Sequence, residues 1–413
     1  MTECCDKPDP QPECCAPRPS PCCDSAAGGA DAPCDALDWF ANGIPNTLAW
    51  ARAAHEAGTP LVGIMCEYTP RELILAAGAA PVCLCGGSAD MVTPAEQHLP
   101  VNLCPLIKST FGYHVEKANP FLEMTSLVVS ETTCDGKKKM VELMGESRPM
   151  HVLELPQKPD LDASLAGWRG ELVKLKDALE QRFGVEITDD RLRDAIGLMN
   201  RERAARRELA ELMKGDCPPI TGRQLLDVHS TISGIPEEME QYRGALAALQ
   251  GRAGDPEPPS RVRVLMTGVP IVHGAERVLE IIEDNGGLVV CMENCSGIKP
   301  ILEDVDASAD DPLGALAEKY YHLPCSVMTR NDRRLETIRH LAGEYRAECI
   351  IELIWQACLT YDVESHYVRR LAGELGLPYL RIETDYSPSD SARIAVRVEA
   401  LFETVQAGGA PAS

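Results

Sequence analysis

Six cysteines stand where a strand or loop hands over to a helix, three in each half of the chain. They are Cys66 in GIMCEYTPREL, Cys104 in VNLCPLIKS, Cys134 in ETTCDGKKKM, Cys295 in MENCSGIKP, Cys325 in LPCSVMTRND and Cys358 in IWQACLTYDVES. A thiol at a helix N-terminus meets the positive end of the dipole and free backbone N–H groups, which lower its pKa and donate to sulfur. In an α/β fold, ligands collect beyond the carboxyl ends of the strands. Six thiolates converging there would hold an iron–sulfur assembly larger than a single cubane. A redox enzyme is therefore the leading reading.

Each position has its own local signal. Cys104 directly precedes Pro105, a residue suited to the first helical position. Cys66 lies three residues before Thr69, and Thr69-Pro70-Arg71-Glu72 has the form of a capping box. Cys134 precedes Lys137, Lys138 and Lys139, whose charge would offset that of a thiolate-ligated cluster. A lone cysteine reads as a small buried hydrophobe; six in corresponding positions do not. Cys83 and Cys85 alternate along a strand and read as packing, as do Cys291 and Cys349, while Cys217 falls in a helical stretch. Neither CxxC pairs nor a CxxCxxC run is present, so the pattern rests on context rather than local spacing.

The elements that must position these thiols alternate. LVGIMC reads as a buried strand followed by the helix EYTPRELILAAGA; APVCLC and SLVVS are further strands, the last running into a helix near Asp135. From 161 to 250 the pattern is helical and charged without strand signals. RVRVLMTG, LVVCMEN, ECIIELIW and LPYLRIETD then alternate with helices again. The expected architecture is α/β: two Rossmann-like (flavodoxin-like) parallel-sheet domains with a helical subdomain between them. The expected units are a disordered Cys/Pro-rich tail (1–34), a first cluster-binding domain (35–160), the helical subdomain with a Gly/Pro linker (161–257), a second cluster-binding domain (258–405) and a flexible C-terminus (406–413).

Composition narrows the function. Of 413 residues, 63 are acidic and 40 basic, a formal charge of −23 that argues against nucleic acid or an anionic membrane surface as partner. No apolar run approaches a membrane span, and the acidic start MTECCDKPDPQPECC lacks the order of a signal peptide. A cytoplasmic protein is expected, in which eighteen cysteines point to metal rather than disulfides. No GxxxxGK[ST] or strand-following GxGxxG occurs, so ATP or dinucleotide chemistry would belong to a partner.

The seven motifs GIMCEYTPRELILAAGAAPV, LCPLIKSTFG, SETTCDGKKKMVEL, ENCSGIKP, LPCSVMTRNDRR, WQACLTYDVES and LRIETDYSPSDSARIAVRVEAL together resemble the 2-hydroxyacyl-CoA dehydratase and benzoyl-CoA reductase superfamily, and within it the double-cubane cluster proteins. The resemblance covers about 36–403. It implies two [4Fe–4S] cubanes joined by a bridging sulfide ([8Fe–9S]), held by cysteines of one chain in a homodimer. It implies a separate ATP-hydrolysing [4Fe–4S] activator as electron donor, a small-molecule substrate, and sensitivity to oxygen. Carried over by motif, the ligands are Cys66, Cys104, Cys134, Cys295, Cys325 and Cys358, with a division of three and three by domain and cross-domain sharing left open. The alternative is one [4Fe–4S] in a subunit of a 2-hydroxyacyl-CoA dehydratase. Among Glu67, Tyr68, Lys108, Asn294, Lys299, Gln356 and His366, which flank the motifs, and His273 and His322, Glu67 and Gln356 are the preferred proton donors.

Overall fold

The computed structural model describes residues 32–229, 236–250 and 261–408. The six cysteines between Cys4 and Cys23, the 251–260 linker and the last five residues lie outside the described residues.

Two four-stranded sheets form the frame, every pairing in them parallel. The first contains β1 (Leu61–Ile64), β2 (Ala80–Cys83), β3 (Thr125–Glu131) and β4 (Met150–Leu153), in the order β2-β1-β3-β4. The second contains β5 (Val262–Gly268), β6 (Gly287–Glu293), β7 (Cys349–Trp355) and β8 (Tyr379–Thr384), in the order β6-β5-β7-β8. These are one topology used twice. All residues of β1 and of β7 are buried, as expected of strands covered by helices on both faces, and this is why their sequences are unbroken apolar runs apart from Glu352. In each sheet the chain reverses direction of growth between the first and third strands, which opens a crevice at the carboxyl ends.

The helical region comprises Asp162–Phe183, Asp189–Glu211, Gly222–His229 and Pro236–Leu249. Trp168, Leu172, Leu175 and Leu179 recur at helical spacing and are fully buried, and the first helix stops at Gly184, whose φ of 65° a side chain would resist. The next helix begins where the Thr188 hydroxyl accepts the Arg191 N–H at 3.3 Å. Two helices, Ala32–Ala41 and Gly43–Glu56, precede β1, so the segment expected to be tail up to residue 34 is helical from Ala32. Phe40 stacks on Tyr242 at 5.1 Å, which joins this N-terminal pair to the helical region.

Buried ion pairs tie the helical region to the first half, and a tyrosine hydroxyl carries the network to the second. Glu72 of the first half pairs with Arg203 and accepts the Tyr320 hydroxyl of the second half at 2.7 Å. Glu202 holds Arg71 and Arg206, each at 3.2 Å. The halves also meet backbone to backbone. A Cβ on Gly87 would lie 2.6 Å from the His273 carbonyl, and one on Gly274 would lie 2.6 Å from the Gly87 carbonyl, so only glycine permits the approach.

The capping box at Thr69 does not form. The helix runs Arg71–Ala76 with Pro70 at its cap, and the Thr69 hydroxyl donates instead to the buried Glu131 carboxylate. A hydrogen bond to a buried, charged carboxylate is worth more than a cap on one helix turn, so the hydroxyl goes to the carboxylate.

Candidate metal centre

The six cysteines line one cavity of about 760 Å³ between the two halves. Cys66 and Cys295 follow β1 and β6 by two residues; Cys134 and Cys358 follow β3 and β7 by three. Cys104, Cys134 and Cys358 each occupy the N-cap of a helix: Pro105–Val115, Asp135–Met144 and Leu359–Leu375. The Cys134 sulfur accepts the Lys137 N–H at 3.5 Å. Cys325 sits in the loop after the helix Pro312–Tyr321, held where the Asn331 side chain donates to its carbonyl at 2.9 Å. The positions therefore correspond only in part between halves: Cys134 matches Cys358, but Cys66 follows a first strand and Cys295 a second one.

Spatial grouping crosses the halves. The Cys104 and Cys358 thiols hydrogen-bond each other, Cys134 acts on Cys104, and Cys134 is itself acted on by Cys358 and Cys325. Cys66 is perturbed by Cys295 and Cys325. Two groups thus cross the halves, Cys104 with Cys358 and Cys66 with Cys295 and Cys325, and Cys134 touches both, rather than a division by half. Within the first, Cys104 is pulled below the ordinary thiol value by the Cys358 hydrogen bond, which together with burial pushes Cys358 up. Burial raises Cys66 well above the thiol range against the pull of Lys137, and raises Cys295 to about 12 against that of Lys299.

Lys137 lines the cavity together with Lys138, Lys299 lies outside its lining, and Lys137 and Lys299 are each anchored on a strand-end carboxylate. Lys137 Nζ lies 2.9 Å from Glu131 at the end of β3 and 3.1 Å from the Met65 carbonyl. Lys299 Nζ lies 2.9 Å from Glu293 at the end of β6 and 3.2 Å from the Tyr361 hydroxyl. Burial opposes both charges, but the carboxylates and the nearby Cys66 and Cys295 outweigh it and raise both pKa values.

Glu67 is buried in the cavity wall beside Cys66, 3.9 Å from Arg71. Gln356 is not in that wall: it is exposed and lines a separate polar pocket with Arg381, Asp390 and Arg393, because β7 ends at Trp355 and the chain turns outward there. Tyr68 donates to the Leu323 carbonyl, Lys108 pairs with Glu96, and Asn294 donates to the Val269 carbonyl at 3.3 Å; each has a structural partner. His366 faces Tyr367, His273 lies 3.7 Å from Glu276, and His322 lies 3.3 Å from Glu318.

Cys83 and Cys85, expected to pack, also line the cavity. β2 stops at Cys83, so alternation along the strand does not continue into a core at Cys85. Sequence reading also missed Arg334, the centre of a buried network with Glu293, Glu352 and Glu364. It missed Lys319 too, buried beside Arg203 and donating to the Pro300 carbonyl at 3.0 Å. Nothing in a helical Arg or Lys pattern marks burial of this kind.

Among the described residues no three His, Cys, Asp or Glu side chains gather tightly enough to grip a single ion. The thiols instead ring a space, with ammonium groups behind them. That donor set suits an inorganic sulfide cluster, whose irons sit at separate corners and each take one thiolate.

The family model described as 2-hydroxyglutaryl-CoA dehydratase, D-component, matches residues 66–405. This chain belongs to the superfamily of 2-hydroxyacyl-CoA dehydratases and benzoyl-CoA reductases. It is 42% identical over 357 residues to the putative dehydratase subunit YjiM of Escherichia coli (84% of this chain, 92% of that one). It is 25% identical to the (R)-phenyllactyl-CoA dehydratase beta subunit of Clostridium sporogenes (85% and 93% covered). It is 23% identical to a subunit of the benzoyl-CoA reductase of Thauera aromatica (78% and 84% covered). Among the described residues no helix is long and apolar enough to cross a membrane.

Proposed function

We propose that this protein is an iron–sulfur reductase whose cavity holds an [8Fe–9S] double cubane on Cys66, Cys104, Cys134, Cys295, Cys325 and Cys358. The observation that carries the reading is the ring of all six thiols around one cavity, supplied by both sheets. The cluster would supply low-potential single electrons, received from a separate ATP-hydrolysing protein and passed with protons to a small unsaturated substrate. The protein would act as a cytoplasmic homodimer, and its two cluster-binding units would span 35–160 and 258–405.

The chain's own residues define what surrounds that chemistry. Helix starts at Cys104, Cys134 and Cys358 place N–H groups and positive dipole ends at the sulfurs. Lys137 and Lys299 offset thiolate charge that burial would otherwise disfavour. Metal loading must displace the protons that burial holds on Cys66 and Cys295, so assembly releases protons. Glu67, in the cavity wall 3.9 Å from Arg71, would be the proton donor. Gln356, facing another pocket, would act only on a substrate that reached the outer rim.

The names of the relatives favour a second reading, a [4Fe–4S] subunit of a 2-hydroxyacyl-CoA dehydratase. Iron and acid-labile sulfide per chain, on anaerobically prepared protein, separate the two. About eight irons and nine sulfides match the double cubane; about four of each give the second reading. No iron after reconstitution sinks both.

A further inference from the structure

Cys66 and Cys85 leave the first sheet side by side. The parallel register pairs Ile64 with Cys83, and the Leu84 N–H extends the ladder to the Ile64 carbonyl at 3.0 Å. Two residues past those strand ends, Cys66 and Cys85 leave the sheet from neighbouring strands, close enough for Cys66 to act on the Cys85 thiol. In the second sheet Thr267 pairs with Glu293, so the same two places hold Val269 and Cys295. The six-thiol set thus uses the β1 place in one half and the β6 place in the other. Of the two cavity thiols left over, Cys83 and Cys85, it is Cys85 that stands at the position Cys295 fills in the second half.

Its surroundings are those of a ligand. The Cys85 thiol donates to the Met65 carbonyl at 3.5 Å, and Lys137 Nζ donates to the same oxygen at 3.1 Å. Lys137 is also the cation that acts on Cys66, so one ammonium serves both sulfurs.

We propose that Cys66 and Cys85 are alternative sulfur donors to one corner of the centre, either thiolate able to hold the iron there. The inference rests on the iron–sulfur reading above. Exchange breaks one iron–thiolate bond and forms another, moves one proton from Cys85 to the Cys66 sulfur, and changes no oxidation state. Lys137 stabilises whichever sulfur carries the charge. A corner with two donors can loosen towards a substrate without losing its iron. Cys104 is the control, because the thiol bonded to it, Cys358, is already in the six-ligand set.

The test compares wild type, Cys66→Ala, Cys85→Ala, the double variant and Cys104→Ala as full chains prepared anaerobically. The readouts are iron and sulfide per chain and the electron paramagnetic resonance of the reduced centre. Each of the first two single variants is expected near wild-type iron, with the Cys66→Ala resonance shifted by the change of donor. The double variant falls to about half, as for a lost cubane, and Cys104→Ala falls similarly. Equal loss in Cys66→Ala and the double variant overturns the proposal while leaving the iron–sulfur reading intact. Iron absent from wild type overturns that reading itself. As a check that needs no Cys66 variant, a chelator should strip iron several-fold faster from Cys85→Ala than from wild type; equal rates overturn the proposal.

Discussion

In the first half the strand-end carboxylate, Glu131 on β3, is held by one ammonium and one hydroxyl, from Lys137 and Thr69. In the second half β7, the counterpart of β3, ends at Trp355, and the strand-end carboxylate is Glu293 on β6, which belongs to a buried hub. Arg334 reaches Glu293 and Glu352 at 3.2 Å each, Glu364 at 2.5 Å and the Thr267 hydroxyl at 2.9 Å, while Lys299 closes the other side of Glu293. One strand order has thus been given two electrostatic solutions. The first sets a lysine on its carboxylate where it also acts on two cysteines, whereas the second adds an arginine committed to three carboxylates and a hydroxyl. The second half reads as the rigid wall and the first as the adaptable one.

The largest break in that comparison is Arg334→Leu. It leaves three carboxylates buried around a lost cation, at a cost of about 3–5 kcal/mol. Lys137→Met strips one pair, with Thr69 still donating to Glu131, and its side chain is 12% exposed, so it should cost clearly less. Chemical denaturation of the cluster-free chains measures both. Equal losses would mean that the two halves do not differ in the way described.

A second comparison lies within the second half, between two buried lysines. Lys299 beside Glu293 keeps its charge, whereas Lys319 is pushed down to about 7 by burial and then by the neighbouring Arg203. An unfolded lysine titrates near about 10.4. Between these values the unfolded chain binds a proton that the folded chain does not, so Lys319 makes stability rise with pH across that window. Lys319→Met removes the rise. Its advantage over wild type in denaturation midpoint should be largest near neutral pH and shrink towards pH ~10; a gap that ignores pH refutes the assignment.

Much of this frame was legible in the chain because buried parallel strands are continuous apolar runs. β1, β3 and β5 to β7 announce themselves that way, whereas β8 carries Arg381 and Glu383 and is only partly buried. β4 does not: it has four residues and leaves Val152 exposed. The cysteines' shared cavity could be anticipated from strand ends, since each local position is set by the turn that follows. Which thiols are neighbours could not, because Cys104 meets Cys358 only through the packing of one half on the other. Cys85 was misread for a related reason: alternation with Cys83 looks like a strand face until one knows that the strand has already ended. Thr69 shows the same limit, its local capping signal overridden by a carboxylate sixty-two residues away.

The smallest expected effect probes the last strand of each sheet. Two residues past β4 stands Leu155, in the cavity wall; two past β8 stands Tyr386, packed edge-on against Trp355 at 4.9 Å. The Tyr386 hydroxyl is buried and has no hydrogen-bond partner among the described residues, and the Cys104, Cys85 and Cys358 sulfurs act on it. Without the cluster that hydroxyl is a liability, so Tyr386→Phe should leave the cluster-free chain unchanged or slightly more stable. With thiolates in place it is a donor, and hydrogen bonds to ligand sulfur favour the reduced state. The same variant should then keep full iron but take up its electron at a more negative potential, read by a resonance-monitored redox titration. An unchanged potential would place the hydroxyl out of reach of the sulfurs and make Tyr386 the packing equivalent of Leu155.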